Sequence, residues 1–244
     1  MKAQINTGPI DTGPDASDRR GSLALSLRRR ILTMQMAPGA VLDEYALAEE
    51  FGLSRPPVRE VMRQMAGEGY IELEPNRPAR VTPMGYQTLR DFFLVAPMIY
   101  VASTRLAAER RTGPELDRLK SIQRQFRAAI RQGDVEGRVF FNDHFHLQIG
   151  EMAHNAYLMP SLRRCLIDHA RIGKVFYEEQ LAARHPKMAA ERDEAAKQHD
   201  DMIAAIEARD PDTAEALVRA HLDLSRRNMA MYAAPEGMNL RFDN

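Results

Sequence analysis

Four side chains in the second half of this 244-residue chain are of types that hold a metal ion: Asn142, His146, His199 and His221. Asn142 and His146 stand four apart, so on a helix they share one face, with Phe145 beside them turned toward a helical interior. His199 and His221 fall on or near the inward stripes of the last two helices that periodicity predicts. Oxygen and nitrogen donors converging from three helices are how helical bundles build metal sites. The same positions also suit hydrogen-bonded core residues, and spacing leaves both readings open. His144, His154, His169 and His185 show no comparable pattern and read as surface or structural, while Asp143 lies on another face.

A second chemistry sits in the first third. Arg55 and Arg59 are one turn apart at the start of a short helix, on a face where base edges or phosphates would lie. A guanidinium can hold guanine O6 and N7 with two bonds or clamp a phosphate. Arg63 continues the stripe as a phosphate contact or a solvated residue, and solvated surface arginines are the alternative for all three.

The elements that must position these arginines are legible. Glu44 to Gly67 has the residue types of two short helices crossing steeply: Ala48 is small at the crossing, and Gly52 occupies the turn, where a positive φ needs no Cβ. Leu47, Phe51, Leu53, Val58 and Val61 fill the core between them. Ser54 is placed to cap the second helix, and Pro56 and Pro57 suit its first turn. A preceding helix carries Leu23, Leu27, Ile31 and Met34 at helical spacing, with Arg28, Arg29 and Arg30 on outer turns, and ends at Pro38-Gly39. Residues 70–74 and 79–82 read as a hairpin around Pro75-Asn76-Arg77-Pro78. A helix-turn-helix followed at once by a two-stranded wing is a recurrent DNA-binding arrangement.

Beyond Pro83 the pattern is helical throughout, with helices predicted at 84–111, 114–132, 134–152, 155–182, 188–208 and 211–232 and a kink at Pro97. The fold class is therefore mainly α: an N-terminal winged helix-turn-helix with a small β-hairpin wing, then a C-terminal antiparallel α-helical bundle. The expected domains are a disordered arm at 1–20, the winged domain at 21–83, the helical domain at 84–232 and a flexible tail at 233–244.

Composition sets the remaining bounds. Lys and Arg balance Asp and Glu at 34 each, and ten Arg face eight acidic residues between Arg19 and Arg80. DNA binding must then rest on where a few arginines point rather than on a broad basic field. No apolar run approaches the roughly 20 residues of a membrane helix, and residues 1–20 lack a signal peptide's apolar stretch, so no membrane partner and a cytoplasmic location are expected. Cys165, alone among Leu162, Leu166 and Ile167, reads as a buried inert thiol.

Residues 27–82 resemble the GntR family of bacterial regulators, through Met36-Ala37-Pro38-Gly39, Leu47-Ala48, the run from Gly52 through Ser54-Arg55-Pro56-Pro57-Val58-Arg59 to Glu60, and Glu68-Gly69-Tyr70-Ile71. The all-helical second domain resembles the FadR-like, fatty-acid-regulator branch with its FCD domain. The resemblance implies a homodimer on palindromic double-stranded operator DNA. Ser54, Arg55, Arg59 and Arg63 would form the DNA-facing set, with Asn76 and Arg77 in the minor groove. Tyr45 departs from the pattern, standing where some relatives place another DNA-contacting arginine.

FCD domains often carry an Asp or Asn four residues before the His of a Phe-His pair, then two histidines about 22 positions apart, which Asn142, Phe145-His146, His199 and His221 fit. The resemblance implies a divalent metal, Zn or Ni, with Asn142 a weaker ligand than the more usual Asp. It further implies a small carboxylate effector held through that metal and paired by an arginine; the Arg and Glu that many relatives carry in the first long helix are absent from Ala96-Pro97-Met98-Ile99-Tyr100, which leaves Arg105, Arg163 or Arg171 as substitutes. The expected function is a transcriptional regulator, chiefly a repressor, and not an enzyme. The alternatives are a regulator for which the ion itself is the signal and a helical metal-dependent enzyme, though neither a pair of Glu-x-x-His motifs of the di-iron kind nor a His-Glu-x-x-His motif is present.

Overall fold

A computed structural model describes residues 16–183 and 186–233. The tail from 234, the first fifteen residues of the expected arm and His185 lie outside the described residues. The arm's last five residues are helical: α1 spans Ala16–Leu32 and starts earlier than the composition suggests. Tertiary contacts explain the difference, because Arg20 bonds Glu60 at 3.1 Å and the Arg19 side chain lies against Gly52.

In α1, Leu23, Leu27 and Ile31 recur every four residues and are fully buried. Each such side chain contributes about 1.5–3 kcal/mol through burial. They pack on α2 (Glu44–Glu50) and α3 (Arg55–Glu68) through Leu47, Val58, Val61, Met62 and Met65. The outer-turn arginines of α1 meet carboxylates, Arg28 bonding Glu68 through both carboxylate oxygens and Arg30 pairing with Glu50 within this part of the chain. Asp43 caps α2, its carboxylate accepting from the amides of Tyr45 and Ala46.

The wing is shorter than the hydrophobic pattern implies. Strands β1 (Ile71–Glu72) and β2 (Arg80–Val81) pair antiparallel, with Ile71 opposite Val81. The extended residues 40–43 add a third rung, Val81 N donating to Ala40 O at 2.8 Å and Leu42 N to Ala79 O at 2.9 Å. Asn76 adopts a left-handed φ of 61° at the tip.

The helical domain comprises α4 (Tyr86–Arg110), α5 (Gly113–Gln132), α6 (Val135–Met152), α7 (Leu158–Ala183), α8 (Pro186–Glu207) and α9 (Pro211–Ala233). Their starts follow local signals: Thr112 and Glu115 form a capping box on α5, and Asp134 caps α6. Helix α4 packs on α6, α7 and α9, α5 on α6 and α8, and α8 on α9. Contrary to the reading of the sequence, α4 is long and apolar enough to cross a membrane by length and composition, with 44% of its apolar window buried. Phe92, Ala96, Tyr100, Ala107 and Ala108 place it in the bundle core.

A separate apolar cluster joins the two parts of the chain. Leu32 of α1 and Tyr70, ahead of β1, meet Val139 of α6 and Ile167, Ala170, Phe176 and Tyr177 of α7. Arg29 and Gln35 both bond the Glu136 carboxylate across the same seam.

Candidate functional site

The face of α3 that carries Arg55, Arg59 and Arg63 is organised by the start of α2. Glu44 Oε2 accepts from Arg59 Nε at 2.8 Å and from Arg55 at 3.2 Å. Arg55 also donates to the Tyr45 hydroxyl at 2.7 Å, its guanidinium 4.1 Å from that ring's centroid. Tyr45 is 65% exposed, so the ring presents Arg55 at the surface. Arg59 and Arg63 are exposed, as are Asn76 and Arg77 at the wing tip, where Arg77 pairs with Glu74.

Ser54 occupies the N-cap position of α3, but its hydroxyl makes no capping bond. A cap side chain accepts from the second or third helical amide, and those positions are Pro56 and Pro57, which have none. The hydroxyl therefore stays exposed at the end of the helix beside Arg55.

In the helical domain, His146 of α6, His199 of α8 and His221 of α9 come together, with ligand nitrogens all within 4.8 Å of one another. They are 2%, 0% and 3% exposed, and Asn142 is buried one turn before His146. Burial holds the His146 and His199 imidazoles well below the usual range and His221 down to about 3, so all three are neutral.

Two glutamines set which nitrogen of these rings is bare. The Gln123 amide nitrogen donates to Ala196 O and Asp200, both at 2.9 Å, so its oxygen faces His199 Nδ1 at 3.1 Å. Nδ1 therefore carries the proton, and His199 Nε2 keeps an available lone pair. Gln198 treats His221 alike, donating to Glu194 and accepting from His221 Nδ1, each at 3.1 Å. His146 Nε2 and His199 Nε2 are buried without a hydrogen-bond partner among the described residues. Unpaired buried nitrogens are costly in a protein interior, and a cluster of neutral imidazoles is a donor set suited to Zn²⁺ or Ni²⁺. Gln123 and Gln198 carry no marker in the sequence, since amides that brace a ring from another helix follow no short motif.

His169, read from sequence as surface or structural, is 4% exposed and its ring lies 5.2 Å from that of His146. The three arginines expected near an effector lie in distinct places. Arg105 bonds Asp212 and Glu215 at the surface between α4 and α9, and Arg163 is exposed on α7. Arg171 is fully buried, held by Asp168 and donating to the Thr82 carbonyl oxygen at 2.6 Å. Cys165 is buried, which pushes its thiol up to about 11 and keeps it protonated.

Two families match this chain: the FCD domain over residues 97–224, and the bacterial regulatory proteins of the gntR family over residues 20–81. The chain is 27% identical over 196 residues to the HTH-type transcriptional repressor RspR of Escherichia coli K12, covering 80% of this chain and 82% of that one. The gluconate operon transcriptional repressor of Bacillus licheniformis is 42% identical over 52 residues, 21% of each chain. The solved structure of McbR/YncC from E. coli aligns with a TM-score of 0.70 at 21% identity, over 87% of this chain and 96% of that one. A GntR regulator structure from Rhodococcus sp. RHA1 aligns with a TM-score of 0.64 at 19% identity, over 88% and 99% of the two chains.

Proposed function

The chain belongs to the gntR-family bacterial regulators that carry an FCD domain and is a transcriptional regulator, and on that premise we propose that it acts in the cytoplasm as a homodimeric repressor whose operator affinity is set by a small carboxylate bound in the helical domain beside a divalent metal ion. The observation that carries this reading is a single continuous α7. His169 on one side of that helix adjoins the imidazole cluster, and Arg171, two residues on, holds the end of the wing through Thr82 O.

Asn142, His146, His199 and His221 would hold the ion, and bound there it would supply a positive centre that attracts a carboxylate. Asn142 offers a neutral oxygen, so the three imidazoles carry most of the affinity. Gln123 and Gln198 keep the rings of His199 and His221 in the ligating tautomer.

Ligand that favours one arrangement of α7 against the wing shifts the spacing of two recognition helices and with it the operator affinity. The α4 surface supports a second copy as partner. Leu94 and Met98 are 70% and 63% exposed on one stripe of that helix. An antiparallel two-fold centred on Met98 sets Leu94 against the small Ala102, matching size.

Footprinting on DNA upstream of the protein's own gene, with and without chelator, tests the reading, together with metal analysis of protein purified without added ions. A symmetric protected site and close to one ion per chain are expected. Absence of any protected site overturns the regulator, and well under one ion per chain overturns the metal. If the ion alone is the signal, chelation changes the footprint in the absence of any organic ligand.

A further inference from the structure

Tyr45 has no place in the apolar core that α1, α2 and α3 share, and it is 65% exposed. The backbone nonetheless fixes where it stands. It is the second residue of α2, and its amide donates to the Asp43 carboxylate at 2.8 Å. The side chain that meets its ring is Arg55, the first residue of α3, with the guanidinium 4.1 Å from the ring centroid. A cation over the face of a phenol is held there by the ring's quadrupole.

Two hydrogen bonds add to the stacking. Arg55 Nη1 donates to the Tyr45 hydroxyl at 2.7 Å and Nη2 to Glu44 Oε2 at 3.2 Å. Each terminal nitrogen carries two hydrogens, so one on each remains for another acceptor. Glu44 is shared, its Oε2 lying closer to Arg59 Nε at 2.8 Å, and one carboxylate between two guanidiniums leaves this group with a net positive charge. The Tyr45 oxygen accepts from Arg55, so its own hydrogen is free to be donated outward.

The consequence for Arg55 is orientational. A free surface arginine samples many rotamers and loses them when it binds. This one, stacked on the phenol and tied at both terminal nitrogens, has its plane set before DNA arrives. A planar fork set in advance favours the two-bond contact with guanine O6 and N7 over a single bond to phosphate.

We propose that Tyr45 is a specificity-determining positioning residue: its ring sets the plane in which Arg55 reads one guanine in each half-site, and its hydroxyl hydrogen goes to a neighbouring backbone phosphate. The first role acts through Arg55 and carries sequence information, whereas the second touches the backbone and carries none. Neither involves the metal or the effector. The inference rests on the reading of α3 as the DNA-facing helix.

Selection of duplexes from a randomised pool by the full-length protein supplies a site, and affinities for that site and its single-base-pair variants supply the test. Arg55→Ala should remove the preference at one G·C pair, which identifies the pair Arg55 reads. Tyr45→Ala should lower discrimination at that same pair by about tenfold and leave the pair read by Arg59 unchanged. Tyr45→Phe keeps the ring, so it should restore discrimination at the Arg55 pair while lowering affinity by about three- to tenfold on every sequence alike, the loss of one phosphate bond. The helical circular dichroism of all these proteins should be the same. The proposal is overturned if Arg55→Ala removes no G·C preference, if Tyr45→Ala leaves that pair as selective as before or blunts every pair equally, or if Tyr45→Phe binds every sequence as tightly as the wild type. A wild-type protein that enriches no duplex would instead overturn the reading of α3 as DNA-facing, and this role with it.

Discussion

Arg171, completely buried on α7, donates to the main-chain oxygen of Thr82 at 2.6 Å, so the helical domain grips the strand end of the wing through one guanidinium. Asp168, one turn earlier on the same helix, pairs with Arg171 and with Arg164 at 2.7 Å, neutralising the buried charge. His169, between Asp168 and Arg171, has its ring 5.2 Å from that of His146. Contact with the wing and contact with the imidazole cluster therefore belong to a single turn of helix.

Replacing Arg171 by Met should leave a buried Thr82 carbonyl without its donor and Asp168 short of one partner. Breaking a buried pair in this way costs about 3–5 kcal/mol. Chemical denaturation should show that loss. Footprinting of the surviving folded protein should show an operator affinity that no longer responds to effector. An unchanged denaturation midpoint would mean that the bond contributes nothing.

Arg59→Ala should lower specific operator binding by about 10- to 100-fold, the worth of a bidentate base contact, with the fold retained because the side chain is exposed. Glu44→Gln should act differently. It releases both Arg55 and Arg59 from a shared carboxylate, so affinity for random DNA should rise while discrimination falls. Competition assays against random duplex separate the two effects, and retention of full specificity by both variants would remove α3 from the interface.

Gln123→Leu removes the acceptor that fixes the His199 tautomer without touching a ligating atom. Metal affinity should drop by about 10- to 100-fold, as for other outer-shell partners. Competition with a chromophoric chelator reads this directly. Asn142→Asp should move affinity the opposite way by supplying a charged oxygen.

Metal-free protein should lose stability in acid. Burial holds His169 down to about 4 and His221 down to about 3, and keeps His146 and His199 well below the ordinary range. The unfolded chain binds protons at these groups as the pH falls through about 6.5, and the folded chain does not. Their contribution is thus present above about pH 6.5 and falls by about 1.4 kcal/mol per pH unit for each histidine toward pH 4. Denaturant midpoints measured in chelator between pH 8 and 5 should trace that slope, and a flat profile would contradict neutral burial.

Asp143 runs against the histidines. Burial pushes its carboxyl up to about 7, so its contribution to stability is present at low pH and is lost as the pH rises through that value. Asp143→Asn should therefore raise the unfolding midpoint at pH 8 more than at pH 5, by a difference on the order of 2 kcal/mol. Equal effects at both pH values would place the carboxyl in contact with water.

Much of this molecule is written in local sequence. Gly52 with its φ of 59°, the four-residue rhythm of Leu23, Leu27 and Ile31, and the proline-bounded wing tip specify helices, turn and hairpin without reference to anything distant. The one-turn spacing of Arg55 and Arg59 placed them on a common face for the same reason. The bare N-terminus of α3 corrects the reading of Ser54 as its cap, because Pro56 and Pro57 lack the amides that the hydroxyl would need.

Other features depend on how faces of separate helices meet, which a single helix's periodicity does not contain. That His146, His199 and His221 converge is a consequence of α6, α8 and α9 packing together. The roles of Gln123 and Gln198 follow only from partners some 23 to 76 positions away. Arg171 shows the difference most sharply: a cation suited by type to an effector's carboxylate is committed by tertiary structure to the wing, because burying its charge required the Asp168 carboxylate and the Thr82 carbonyl together. Local rhythm determined which elements form and which residues share a face, and packing decided which of those residues could reach one another.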